Sequence, residues 1–189
     1  MQVQAIIARV QQILLNPNAA WAQIEGEPAS VQSLYLNYVV PLAAIPAIAR
    51  FLGLLFSGLG FLLLPMLVSY VFSLGAVYVF ALIIDYLAPQ FGAQKNFNQA
   101  FKVAAYAPTA AWVAGVFDII PGIGGVISIL GALYSLYLLF LGLPALMKPP
   151  SDKATTYTLV AIVCAVVVGV IIGAVTARLF MPSVVVITH

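Results

Sequence analysis

Charged residues are scarce in this chain of 189 residues: only 6% are Asp, Glu, Lys or Arg, whereas 64% are apolar. Soluble domains carry roughly a quarter charged residues, so this composition excludes a water-exposed globular surface. Seven basic and five acidic residues give a net charge of +2, too weak and dispersed for a nucleic-acid footprint. The sequence therefore predicts a protein that lies in lipid and has no nucleic-acid partner.

Residues and motifs for catalysis or metal binding are also missing. The single cysteine, Cys164, excludes an internal disulfide, and the single histidine, His189, is the last residue. Neither a G-x-x-x-x-G-K-[ST] loop nor a G-x-S-x-G elbow occurs, and no cluster of His, Cys and carboxylates has metal-ligand spacing. We expect no cofactor, no metal and no enzymatic activity. No secretory signal peptide is predicted either, because residues 1–33 hold no continuous apolar core.

Long apolar runs are what the sequence does contain. Each has roughly the length of a helix that crosses a ~30 Å hydrocarbon layer at ~1.5 Å per residue. They cover residues 34–56, 61–86, 103–120, 123–146 and 157–180. The third and fourth runs form a hairpin whose turn is at Pro121 and Gly122, since proline favours ending a helix and glycine tolerates a tight reversal. The predicted fold is an all-α, polytopic bundle of five membrane helices at residues 34–180, between an N-terminal segment (1–33) and a short tail (181–189).

The N-terminal segment has the pattern of an amphipathic helix. Apolar residues recur at helical spacing from Val3 to Leu14, and glutamines and Arg9 fall largely on the other side. The helix is too short and too polar to span, so it lies either along the cytoplasmic interface or against the protein's own bundle. A second short helix with Trp21 at headgroup level follows.

Lysine and arginine predict the orientation. Arg9, Lys95, Lys102, Lys148 and Lys153 all belong to the segments on one side of a five-span topology, and the first and third connections hold no basic residue. The positive-inside rule then places the N-terminus in the cytoplasm and the C-terminus on the outside. Five tyrosines fall near the cytoplasmic interface as an aromatic belt: Tyr35, Tyr38, Tyr86, Tyr106 and Tyr157.

Two ionisable residues at membrane depth are the candidate site. Arg50 and Asp118 lie at similar depth near the outer ends of their spans, so we expect them to form an ion pair. The alternatives are that both reach headgroup water independently, or that Arg178 is the partner of Asp118.

Small residues mark candidate helix-packing faces. Gly124 and Ser128 lie four residues apart on the fourth span, as do Gly169 and Gly173 on the fifth. Such faces let helix backbones approach closely in lipid. They serve packing within the chain or, alternatively, assembly of a homo-oligomer.

Five segments of the chain resemble the Yip1 family of five-span membrane proteins, in particular its short bacterial members. The segments are NPNAAWAQIEGEPAS (16–30), YVVPLAAIP (38–46), AYAPTA (105–110), IIPGIGG (119–125) and LYSLYLLFLGL (133–143). The resemblance implies a multi-pass protein of the bacterial cell inner membrane. Eukaryotic members are linked to Rab GTPases and carry a long N-terminal region with an Asp-Leu-Tyr-Gly-Pro motif. This sequence lacks that motif, so we expect no Rab-type GTPase partner.

Two functions from different classes fit these observations. The first is a non-enzymatic scaffold or adaptor that organises membrane lipids or other membrane proteins. The second is a small oligomeric transporter or channel that uses Arg50 and Asp118.

Overall fold

The computed structural model of the protein describes residues 2–56, 63–120 and 122–180. These residues form helices joined by short connections, and no strand occurs among them. Five helices are long and apolar enough to cross a membrane, and a shorter apolar helix precedes them. The predicted all-α fold with five spanning helices is therefore confirmed.

Two short helices, α1 (Gln2–Leu15) and α2 (Pro17–Gly26), come first. The helix α1 docks on the protein: Ile13 is fully buried, and the Tyr134 hydroxyl donates to the Leu14 carbonyl at 2.8 Å. Its other apolar edge stays exposed, with Val3 at 68% and Ile7 at 51%. Of the two predicted alternatives, the structure contains the docked helix, and contact between the exposed edge and lipid remains a prediction.

The spanning helices are labelled α3 to α7. Their bounds are α3 (Val31–Phe56), α4 (Leu63–Leu87), α5 (Phe97–Ile119), α6 (Ile123–Met147) and α7 (Ser151–Phe180). A short 3-10 turn, Ala88–Phe91, follows α4. Three starts differ from the predicted spans, because α3 begins before residue 34, α5 before residue 103 and α7 before residue 157. The helices continue beyond the apolar stretch into polar residues, and the Asn96 side chain caps α5 by accepting the N–H of Gln99 at 3.1 Å. Residues 61 and 62 of the predicted second span and the tail, 181–189, lie outside the described residues.

Prolines shape two of these helices. In α3 a π-helical turn, Tyr35–Val39, precedes Pro41, so the chain widens where that proline can donate no N–H. In α5, Pro108 separates Phe97–Tyr106 from Thr109–Ala114, and a 3-10 segment, Gly115–Ile119, completes the span. The third span is therefore broken into three segments, whereas the sequence predicts one continuous helix over residues 103–120.

The helix α5 is the centre of the bundle. Its apolar window is 72% buried, whereas the windows of the other four spans are between 11% and 28% buried. Small side chains make this possible, because Ala100, Ala104 and Ala105 are all buried and let neighbouring helices approach. The other spans surround α5 and present their remaining apolar surface outward, as expected in lipid.

The turn between α5 and α6 lies at Gly122. This residue has φ +87°, a left-handed conformation that glycine adopts without strain, and the N–H of Gly124 donates to the Ile120 carbonyl at 3.0 Å. Pro121, the other predicted turn residue, lies outside the described residues. Gly124 lies directly against the backbone of Phe117 and Asp118, where a Cβ would collide. The α6 face at Gly124 therefore packs against the end of α5.

The predicted packing face on α7 behaves differently. Gly169 and Gly173 are both exposed, and a Cβ added at either position would meet no atom within 4 Å. The interpretation that they pack within the chain is wrong, because both glycines lie on the exposed side of α7, whose buried apolar residues, Tyr157 and Ala161, are near its start. Homo-oligomer assembly through these glycines stays a prediction.

The bundle has two chemically different ends. We call the end that holds α2 and Lys95, Lys102 and Lys148 the basic end, and the end with the turn at Gly122 the hairpin end. At the basic end Tyr38, Tyr106 and Tyr157 are buried, so they are core residues and the belt interpretation is wrong for them. Trp21, expected at headgroup level, is 1% exposed and lies against Gly142.

Candidate functional site

Arg50 and Asp118 form an ion pair near the hairpin end. The Nε of Arg50 donates to Oδ2 of Asp118 at 2.8 Å, and the Ser128 hydroxyl donates to Oδ1 at 2.6 Å. The structure therefore brings together three of the predicted residues. Arg178 is exposed and forms no ion pair among the described residues. Sequence reasoning expected Ser128 only as a packing residue and missed its bond to Asp118, although its position on the same face as Gly124 is the signal that could have predicted it.

Close backbone contacts hold this pair in place. A Cβ at Gly53 would lie 2.9 Å from the Ile119 carbonyl oxygen, and one at Gly115 would lie 2.5 Å from Cβ of Pro46. Both distances are shorter than a real side chain tolerates, so α3 and the end of α5 approach closely only because these residues are glycines. Arg50, one turn of α3 from both Pro46 and Gly53, is thereby fixed beside Asp118.

The two partners differ in exposure. The Asp118 side chain is 8% exposed, whereas the Arg50 side chain is 59% exposed. Asp118 already accepts bonds from Arg50 and Ser128, which satisfies its charge in place. Arginine carries five N–H donors, and the bond to Asp118 uses only the one on Nε. The pair therefore presents a cation outward and keeps its carboxylate inside.

A cavity of about 470 Å³ lies over this pair. Every spanning helix contributes a polar side chain to its lining: Arg50, Ser69, Ser73, Asp118, Ser128 and Thr176. The volume falls within the roughly 300–1,000 Å³ that small-molecule sites occupy. The polar lining is unusual in a chain with so few polar residues, and it makes this cavity the candidate site.

A buried layer of Tyr38, Tyr106 and Thr109 lies between this cavity and the basic end. The lining extends along α5 no further than Ala111, and the next turn holds Thr109, which is fully buried. The hydroxyl groups of Tyr38 and Thr109 are 2.8 Å apart, and Thr109 donates to the Tyr106 carbonyl at 2.6 Å. The hydroxyl groups of Tyr38 and Thr109 are therefore bonded within the protein.

Lys102 organises the basic end. Its side chain is buried, and Nζ donates to the carbonyls of Ile24 at 2.9 Å, Glu25 at 3.3 Å and Glu27 at 2.7 Å. These carbonyls belong to the end of α2 and the residue after it, where helices leave acceptors unpaired. Lys102 thus caps α2 and attaches it to α5. Sequence reasoning used Lys102 only for orientation and missed this contact, since a local charge pattern does not reveal a chain that folds back.

Two ion pairs add to this attachment. Arg9 pairs with Glu27 at 2.6 Å, and Lys148, at the end of α6, pairs with Glu25. The basic end is therefore a fixed surface built from α1, α2, α5 and α6. In the described parts of the chain no three His, Cys, Asp or Glu side chains are grouped closely enough to hold a metal ion.

The model of the Yip1 domain family matches residues 12–174, which include α2 and the described residues of all five spanning helices up to that point in α7. The chain belongs to the Yip1 family. No curated protein and no solved structure matches it. The predicted family is confirmed, and this Yip1 protein is a multi-pass membrane protein with five candidate spans.

Proposed function

We propose that this Yip1 protein is a non-enzymatic scaffold or adaptor that organises lipid or protein partners in the bacterial inner membrane. The observation that carries the proposal is the fixed basic end, where Lys102 attaches the N-terminal helices to the central span. A rigid surface next to the membrane suits a protein that holds partners in place. The buried layer of Tyr38, Tyr106 and Thr109 supports the same function, because a scaffold needs no water path through the bundle.

The proposed contact surface is the exposed edge of α1. Val3 and Ile7 are exposed on a helix whose opposite edge is docked, so they can enter a lipid interface or contact a partner helix without unfolding anything. In the proposed orientation this surface faces the cytoplasm and the C-terminus lies in the periplasm. A phosphatase fused to the C-terminus is then active, and a fluorescent protein that folds only in the cytoplasm is dark.

The exposed apolar edge of α1 can be made polar without changing a buried residue. Val3→Gln combined with Ile7→Gln leaves the buried Ile13 in place, and Gln4→Ala combined with Gln11→Ala changes exposed positions of the same helix as a matched control. Each form is cross-linked in native membranes, and captured proteins and lipids are identified by mass spectrometry. The scaffold proposal expects the first variant to lose partners that wild type and the control retain. Identical partners in all three forms would contradict it.

The polar cavity favours a second candidate, a small oligomeric transporter or channel. It holds the Arg50–Asp118 pair and is lined from every spanning helix, as a substrate site would be. Purified protein in liposomes with trapped ion-sensitive dyes tests this function. Ion flux that disappears in both Arg50→Ala and Asp118→Ala would support transport over the scaffold, and flux equal to that of empty liposomes would oppose it.

A further inference from the structure

The polar cavity at the hairpin end shares part of its lining with an apolar groove between α3 and α4. The groove has a volume of about 200 Å³, and Ala47, Met66 and Tyr70 line both spaces. Apart from Tyr70 its lining is apolar, and Ile48 and Leu67 at its mouth are more than half exposed. A molecule could thus lie with a polar part in the cavity and an apolar part at the outer surface of the bundle.

We propose that this combined site binds an anionic phospholipid, with the headgroup phosphate at Arg50 and an acyl chain in the groove. Arginine is well suited to phosphate, since its planar guanidinium offers paired donors. The bond from Nε to Asp118 orients the Arg50 guanidinium, and the donors on Nη1 and Nη2 lie outside that contact. The inference goes beyond the proposed function, because it applies to a scaffold and to a transporter alike.

The charge distribution selects an anionic over a zwitterionic lipid. A zwitterionic headgroup would bring an ammonium group close to the Arg50 guanidinium, and Asp118 offers it little compensation, because its side chain is 8% exposed and already accepts two hydrogen bonds. The ligand therefore meets the exposed guanidinium and not the carboxylate. Trp112 and Thr176 line the same cavity, and each carries one further N–H or O–H donor.

The position of Arg50 also fits a lipid headgroup. It lies six residues before Phe56, the last described residue of α3, which places its Cα about 9 Å below that end at ~1.5 Å per residue. A long arginine side chain extends from such a depth toward the interface. The lipid headgroup therefore needs to descend only part of this depth to meet the guanidinium. The gap between α3 and α4 gives the acyl chain of the lipid a lateral path.

The test measures lipid retention by the detergent-solubilised full chain with native mass spectrometry, during titration with phosphatidylglycerol or with phosphatidylcholine of the same acyl chains. We expect wild type to prefer phosphatidylglycerol. Arg50→Gln weakens that affinity by about tenfold or more, the usual effect of losing a hydrogen bond to a charged group. Arg178→Gln, the matched change of an exposed arginine outside the cavity, leaves the affinity unchanged.

A second pair of variants tests the groove. Ala44 lines only the groove, so Ala44→Phe fills it and weakens phosphatidylglycerol binding, while Ala174→Phe on the exposed surface of α7 does not. If Arg50→Gln fails to fold, the double variant Arg50→Gln, Asp118→Asn, which removes both charges, is used in its place. Glycerol 3-phosphate, added alone, tests whether a soluble phosphate is sufficient.

Three results would overturn the proposal. The first is equal retention of the two lipids by wild type. The second is an equal loss in the Arg50 and Arg178 variants, which would indicate only surface attraction. The third is Arg50-dependent binding of glycerol 3-phosphate together with unchanged phosphatidylglycerol binding in Ala44→Phe, which would assign the site to a soluble phosphate.

Discussion

The two ends of the bundle use a cation in opposite ways. At the basic end Lys102 is 3% exposed, and three backbone carbonyls surround its ammonium group. At the hairpin end the Arg50 side chain is 59% exposed and its Nε contacts one carboxylate. A buried cation whose hydrogen bonds are all made by the protein stabilises the fold, whereas a cation left largely exposed in a polar cavity is available to a ligand. The difference assigns a structural role to Lys102 and a ligand-binding role to Arg50.

Loss of Lys102 should have the largest effect on stability. Lys102→Met removes the donor from the carbonyls of Ile24 and Glu27, while the Glu25 carbonyl still accepts from the Gln99 side chain. We expect a cost of about 3 kcal/mol, since each orphaned acceptor costs roughly 1–3 kcal/mol. Lys95→Met is the matched control, because Lys95 is an exposed lysine at the same end. Unfolding in mixed detergent micelles measures the stability of both variants. An equal loss of unfolding free energy in the two would contradict the structural role of Lys102.

Overpacking at Gly124 should have the next largest effect. A leucine there meets the backbone of Phe117 and Asp118, so we expect Gly124→Leu to lower the free energy of unfolding by about 2 kcal/mol. It should also disturb the hairpin end selectively, which reduces phosphatidylglycerol retention. A Gly124→Leu protein with wild-type thermal stability would show that α6 does not approach α5 as closely as the structure has it.

The Arg50–Asp118 pair should contribute less. Because Arg50 is largely exposed, the coupling between the two residues should be about 1 kcal/mol, near the upper end for exposed ion pairs. Arg50→Ala and Asp118→Ala each destabilise the protein, and the double variant loses less than the sum. Strict additivity in this double-mutant cycle would mean that the two side chains act independently.

The smallest effect is expected on α7. Gly169→Leu combined with Gly173→Leu should leave the stability of the monomer within roughly 0.5 kcal/mol of wild type, as for surface changes that touch nothing. Light scattering of the purified protein provides the second readout. A shift in oligomer distribution at unchanged monomer stability would assign this face to homo-oligomer contacts, and a large loss of monomer stability would contradict the exposed position of both glycines.

Much of the fold could be predicted because hydrophobic length determines it. Five long apolar runs with at most one charged residue each have few alternatives to spanning helices, and similar depth along two helices was sufficient to pair Arg50 with Asp118. What could not be predicted depends on which helices become neighbours. Lys102 and Trp21 have ordinary interfacial signals in the sequence, yet both are buried by an N-terminal segment that folds back. Gly124 and Gly169 have similar small-residue patterns, and only the neighbouring backbone distinguishes a packed face from an exposed one.

Water accessibility along α5 tests the contrast between the two ends most directly. Ala111 lines the cavity, and Ala105 is fully buried on the other side of the layer of Tyr38, Tyr106 and Thr109. Each alanine is changed to cysteine in a Cys164→Ser background. The two variants are then treated with a membrane-impermeant thiol reagent from either side of the membrane. The account predicts that Ala111→Cys reacts only from the hairpin side and that Ala105→Cys reacts from neither side. Labelling of Ala105→Cys from the basic side would reveal a water path through the layer of Tyr38, Tyr106 and Thr109, and would contradict a closed basic end.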